Sequence, residues 1–218
     1  MGIAVTGKIP NGSIEVVAAD DPGDVQLRLV ADVNNSFMGY YHFKASGVRG
    51  ADCHFRILNA GDSLSMRLPG REDVENGWMN TGPTVSYDRR YWFRVPGAFD
   101  GKVFSFRHRP EHDICYYALW APYPVERELA FIARAQLSPR VRASVIGRTL
   151  DGADLDMLTI GTPGAEKLKC WMIARQHPSE MQSGYFVESF VERMLDEADA
   201  VVRRLLERAV FYLSLIHI

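Results

Sequence analysis

The chain has three cysteines in 218 residues, Cys53, Cys115 and Cys170. So odd and sparse a set excludes a disulfide framework and points to thiols buried in a reducing, cytoplasmic compartment. An excess of one charge is also missing. Lys plus Arg number 25 against 27 Asp plus Glu, a formal net charge of −2. That balance leaves no electrostatic footprint for a nucleic-acid partner. No apolar run approaches the length of a membrane span, and the first residues have no signal-peptide core, so no membrane partner is expected. Repeats and low-complexity tracts are absent. What remains is 47% hydrophobic and 11% aromatic, enough for a packed core in one large domain or two small ones.

Residues 13–123 read as all-β. Ser13–Ala18, Val25–Leu29, Tyr40–Ala45, Cys53–Leu58, Tyr91–Val95, Lys102–Arg107 and Ile114–Trp120 are short and rich in β-branched and aromatic residues. Turn signals such as Asp21-Pro22-Gly23, Asn34-Asn35 and Asp100-Gly101 separate them, which predicts an antiparallel β-sandwich. Residues 59–82 carry few strand signals and read as a long loop. The character changes at Pro122–Pro124. A helix is predicted over Val125–Ala135, with apolar residues at 125, 129, 132 and 133, and Pro139 stops it. Strands follow at Ala143–Ile146, Leu155–Ile160 and around Cys170, then helices over Ser183–Leu195 and Asp199–Arg208, then a strand from Ala209 to Leu213. This gives an α+β chain with a domain boundary at 123/124.

The second half is organised around Lys169–Glu180. An apolar run from Cys170 to Ala174 reads as a buried strand feeding a helix. Ligands of open α/β sheets bind beyond the carboxyl ends of strands, and His177 and Glu180 stand at such an end. An imidazole nitrogen and a carboxylate are two of the three protein ligands of a His₂Glu zinc site. The spacing alone is weak, because His108–Glu111 repeats it. The other reading of His177–Glu180 is a polar loop at the start of the Ser183 helix, with Glu180 near its positive end. Arg175 reads either as lining the site or as an ion-pair partner.

Other chemistry-bearing residues have plainer readings. His108-Arg-Pro-Glu-His112 has the His-x-x-Glu-His spacing of a zinc motif that requires a helix. Pro110 and the strand-like flanks favour a hairpin turn instead. The three cysteines sit within strand patterns as small core residues. Phe37, Tyr40, Tyr41, Phe43, Trp78, Tyr91 and Trp92 are either sandwich core or a ligand platform.

Long phrases in order carry a resemblance: Phe55-Arg-Ile-Leu-Asn-Ala-Gly61, Trp92-Phe-Arg-Val-Pro96, His108-Arg-Pro-Glu-His-Asp113, Ala121-Pro-Tyr123, Ile146-Gly-Arg-Thr-Leu-Asp-Gly-Ala-Asp-Leu155 and Ile173-Ala-Arg-Gln-His-Pro-Ser-Glu180. Over residues 13–213 the sequence resembles the cytosolic-type zinc metallocarboxypeptidases. The resemblance implies an N-terminal β-sandwich domain over 1–123. It implies the truncated beginning of an α/β/α catalytic domain with a mixed sheet over 124–218. It also implies Zn2+ as cofactor, His177 and Glu180 as its first two ligands, and peptide or protein C-terminal tails as substrates. The family's phrase is His-Pro-Gly-Glu, so Ser179 is a departure, to another small residue.

In the family, the strand beginning at Ala209 runs on to an Asn-Pro-Asp-Gly turn. Beyond it come an Asn and an Arg that hold the substrate carboxylate, a third ligand and a general-base Glu. Here the chain departs at Ser214-Leu-Ile-His-Ile218. Residues 214–218 are therefore expected to be a non-native tail, His217 no ligand, and the chain an inactive fragment. The rival expectation is a non-catalytic protein that binds through its β-sandwich. Substrate preference and oligomeric state are not readable.

Overall fold

In a computed structural model, which describes residues 2–32, 36–63, 78, 81–177 and 179–215, the chain divides into two compact units, Met1–Pro122 and Tyr123–Ile218. The Asn34-Asn35 turn, His217 and most of the 59–82 loop lie outside the described residues.

The first unit holds β1 (Ala4–Thr6), β2 (Glu15–Ala18), β3 (Val25–Arg28), β4 (His42–Ser46), β5 (Cys53–Ile57), β6 (Thr84–Ser86), β7 (Phe93–Arg94), β8 (Gly97–Phe99), β9 (Phe104–His108) and β10 (Ile114–Ala118). They form two five-stranded sheets, in the orders β1-β4-β10-β6-β7 and β2-β3-β5-β9-β8. Alternation drives the packing. Phe55 and Ile57 of β5 point inward with Val25 and Leu27 of β3, and Phe43 and Ala45 of β4 meet them from the other sheet. The centre is aromatic, with the Phe55 ring 5.5 Å from Phe43, 4.7 Å from Tyr117 and 4.9 Å from Phe106. One pair departs from the antiparallel expectation, since β3 and β5 run parallel. Buried Asn59 extends that pair: its amide oxygen accepts the Leu29 N–H at 2.7 Å and its NH₂ donates to the Leu29 carbonyl at 3.2 Å.

Tyr41, Phe43 and Trp78 are buried in this core, so they are sandwich residues, not an open platform. Cys53 and Cys115 are buried in the same cluster as free thiols. Burial pushes their pKa values up to about 11 and about 12, which keeps them protonated and inert.

The His108–His112 segment is not a helix, as Pro110 required. Nor is it a hairpin. β9 and β10 belong to different sheets, so the turn is a corner of the sandwich. His108 is occupied by two tyrosines, its Nδ1 lying 3.0 Å from the Tyr117 hydroxyl and its Nε2 3.4 Å from that of Tyr87.

The second unit comprises α1 (Val125–Ala135), β11 (Val141–Arg148), β12 (Asp154–Ile160), β13 (Leu168–Ala174), α2 (Met181–Leu195), α3 (Ala200–Arg208) and β14 (Ala209–Leu215). The sheet order is β11-β12-β14-β13. β11/β12 and β12/β14 are antiparallel and β13/β14 are parallel, so the sheet is mixed. A bulge between Val145 and Gly147 interrupts β11. The last strand runs two residues past Leu213, with Ser214 and Leu215 paired to Ile173 and Ala174.

All three helices share one core with one face of this sheet. Phe131 and Ala135 of α1, Val187, Val191 and Met194 of α2 and Val202 of α3 pack with Leu158, Ile160, Phe211 and Leu213. The described residues thus supply two layers, helices on a mixed sheet. The other face of β13 is open, with Trp171 and Ile173 exposed. The Cys170 run is therefore half-buried, since Cys170, Met172 and Ala174 face the core and alternate with residues facing out.

In two helices not every apolar residue is buried. In α1 the buried residues are Glu128, Phe131 and Ala135, and Val125 and Leu129 are half exposed. In α2, Phe186 is turned outward. Asp199 caps α3, its carboxylate accepting the Val201 and Val202 N–H groups.

Candidate metal centre

β13 ends at Ala174, and within seven residues the chain has begun α2 at Met181. Arg175 makes the corner with φ of +57°, in the left-handed region that costs a long side chain about 1–3 kcal/mol. Its side chain does not reach outward. It is buried over the Tyr123 ring, 5.4 Å from the centroid, with Nη1 3.4 Å from Oε2 of Glu128 on α1. Of the two sequence readings for Arg175, the ion pair is the one observed. Its backbone N–H donates to Ser183 Oγ at 3.1 Å, and that hydroxyl donates to the Glu180 carbonyl at 2.6 Å. The strand end and the first turn of α2 are thereby tied together on either side of His177.

The loop so held presents His177 and Glu180 to solvent. His177 Nδ1 lies 2.7 Å from Glu180 Oε1, and the His177 N–H donates to Oε2 at 3.4 Å. Glu180 occupies the N-cap position of α2, yet its side chain bonds no helix N–H. It faces the imidazole instead. That hydrogen bond holds the Glu180 carboxyl below the usual range, so it stays ionised and able to act as a hard oxygen donor.

Support comes from α1 and α2. Glu188, buried on α2, accepts Arg127 Nε at 2.7 Å and Arg134 Nη2 at 2.9 Å, both from α1. The Arg127 guanidinium lies over the Tyr185 ring at 4.7 Å. The Tyr123 N–H donates to Met181 Sδ at 3.3 Å. Sequence reasoning gave none of these groups a part in the site. Glu128 stands in the first turn of a helix, where an exposed acid is ordinary, and nothing local signals its burial.

Family models match along most of the chain. Residues 5–120 match the cytosolic carboxypeptidase N-terminal domain and residues 129–216 the zinc carboxypeptidase domain. The chain belongs to the zinc carboxypeptidases of the cytosolic type. An uncharacterized protein of Zymomonas mobilis is 30% identical over 98% of the chain and 53% of its own length. A metallo-carboxypeptidase from Burkholderia cenocepacia has a TM-score of 0.91 at 37% identity, covering 98% of this chain and 56% of that one. A metallo-carboxypeptidase from Pseudomonas aeruginosa, solved with (2-guanidinoethylmercapto)succinic acid, has a TM-score of 0.89 at 30% identity, covering 97% and 54%. The chain thus spans about half the length of these proteins.

A zinc carboxypeptidase of His₂Glu type needs two imidazoles and a carboxylate. The donor chemistry of His177 and Glu180 fits two of these places, and the pair is close enough for one cation to replace the proton they share. Among the described residues no group of three His, Cys, Asp or Glu side chains converges, so the fit is partial. Among the described residues, too, no helix is long and apolar enough to cross a membrane.

Proposed function

We propose that this chain contributes the β-sandwich and the first two metal ligands of a zinc-dependent carboxypeptidase that removes C-terminal residues from peptides or protein tails in a reducing, cytoplasmic setting. The observation that carries the reading is the His177–Glu180 pair, hydrogen-bonded and open to solvent just beyond the carboxyl end of β13, in a member of the zinc carboxypeptidase family. Zinc, when bound, supplies a Lewis acid that polarises the scissile carbonyl and acidifies a bound water. This chain's own part is to hold two donors at fixed separation and to keep Glu180 ionised. The unpaired thiols suit the reducing setting.

Two donors do not make a catalytic site, which takes three and an open position. The described residues by themselves are therefore proposed to hold zinc weakly and to be inactive. The test is hydrolysis of matched peptides with free and amidated C-termini, with zinc added. The 218-residue chain is expected to release nothing above a His177→Ala control. Release that needs a free C-terminus and depends on His177 would establish the chemistry and refute the inactivity. Cleavage that ignores the state of the C-terminus would refute the carboxypeptidase reading.

A further inference from the structure

The geometry points to Arg175 as a positioning residue, whose buried ion pair with Glu128 sets the separation and direction of the His177 and Glu180 donors. The inference rests on the reading of those two side chains as metal ligands. Three observations carry it. The backbone at Arg175 is left-handed without being glycine, so something must hold it there. What holds it is a guanidinium and a carboxylate both almost completely buried, 7% and 2% exposed, and a charge so placed is stable only while its partner stays put. The corner then transmits this constraint through the main chain. The same residue's N–H fixes Ser183 Oγ, and Ser183 fixes the carbonyl of Glu180.

Among the described residues, the His177 and Glu180 side chains have no comparable anchor of their own. The His177 side chain is 72% exposed and that of Glu180 44%, so both would sample further rotamers if the loop were free. The anchor lies one layer away, on α1, 47 residues earlier in the chain. Groups that orient a metal ligand from behind typically change metal affinity by about 10–100-fold when removed.

The decisive variant removes both charges together. Arg175→Met with Glu128→Leu leaves no unpaired buried ion and preserves bulk, so its melting temperature is expected to stay near that of the parent. Two readouts follow, below any concentration at which the chain self-associates. The first is the ¹⁵N-detected imidazole signal of His177, which reports its hydrogen bond to Glu180 without metal. The second is zinc affinity by titration. The expected result is a His177 ring signal moved toward that of a free histidine, and zinc affinity lowered about 10-fold. A double variant that keeps both the parent ring signal and the parent affinity overturns the proposal. If it fails to fold, Arg175→Lys, which keeps a compensating charge but not the fork, decides by the same ring signal. A shift supports the proposal and no shift overturns it. Should the parent take up no zinc through His177, the ligand reading fails, while the ring signal still decides whether Arg175 positions the pair.

Discussion

The Tyr123 ring lies directly against Gly184, so close that a Cβ on residue 184 would meet the ring carbons at 2.8 Å. Tyr123 is completely buried and cannot swing aside. Gly184→Ala is therefore expected to destabilise the second unit by about 1–3 kcal/mol despite alanine's better helix propensity. It should also shift the first turn of α2, which carries Glu180 at its cap. Chemical denaturation of parent and variant checks this. An alanine variant as stable as the parent would mean that the contact is not tight in solution.

His42 gives the first unit a defined acid sensitivity. It is fully buried beside Trp92 and Tyr116, its Nδ1 3.2 Å from the Asn11 carbonyl. Burial lowers its pKa to about 4. The folded state thus binds this proton less readily than the unfolded chain, whose histidine titrates near 6.5. Stability from this group is complete above pH 6.5 and is lost as pH falls toward 4. Between pH 7 and pH 5 the loss is about 2 kcal/mol. Denaturation at the two pH values, parent against His42→Gln, isolates the term. The variant should lose less stability by about that amount, and equal losses would contradict the assignment.

The open face of the second unit should make the chain self-associate. β13 stands at the end of its sheet order, and its outer face shows Trp171, stacked on Tyr212 at 4.9 Å, and Ile173. An unpaired, apolar edge is a template for further pairing. Light scattering should rise with concentration, and Ile173→Lys should raise the onset concentration without changing the circular dichroism. A parent that stays monodisperse would contradict this.

Much of this architecture is legible locally, because alternation and turn residues are local properties. The apolar run from Cys170 to Ala174 marks β13, and the acid at Asp199 marks the start of α3. His177 and Glu180 are singled out by the phrase around them and not by their spacing, since His108 and Glu111 repeat it and His108 bonds two tyrosines instead. What is not legible depends on distant partners. β1, β6 and β8 are three-residue strands that exist only through their neighbours. The inward face of α1 does not follow from its apolar residues, because Glu128 turns inward to meet Arg175. A left-handed arginine has no sequence signature, since that conformation is usually left to Gly or Asn. Which residues of β13 face outward is not legible, because an apolar run does not say which of its faces will be covered.

The most direct measurement is a zinc titration of the 218-residue chain beside His177→Ala and Glu180→Gln. The expected result is one weak site per chain, abolished by either substitution, because each removes half of the donor pair. Zinc uptake that is the same in all three proteins, or no uptake by the parent, would contradict the assignment of His177 and Glu180 as metal ligands.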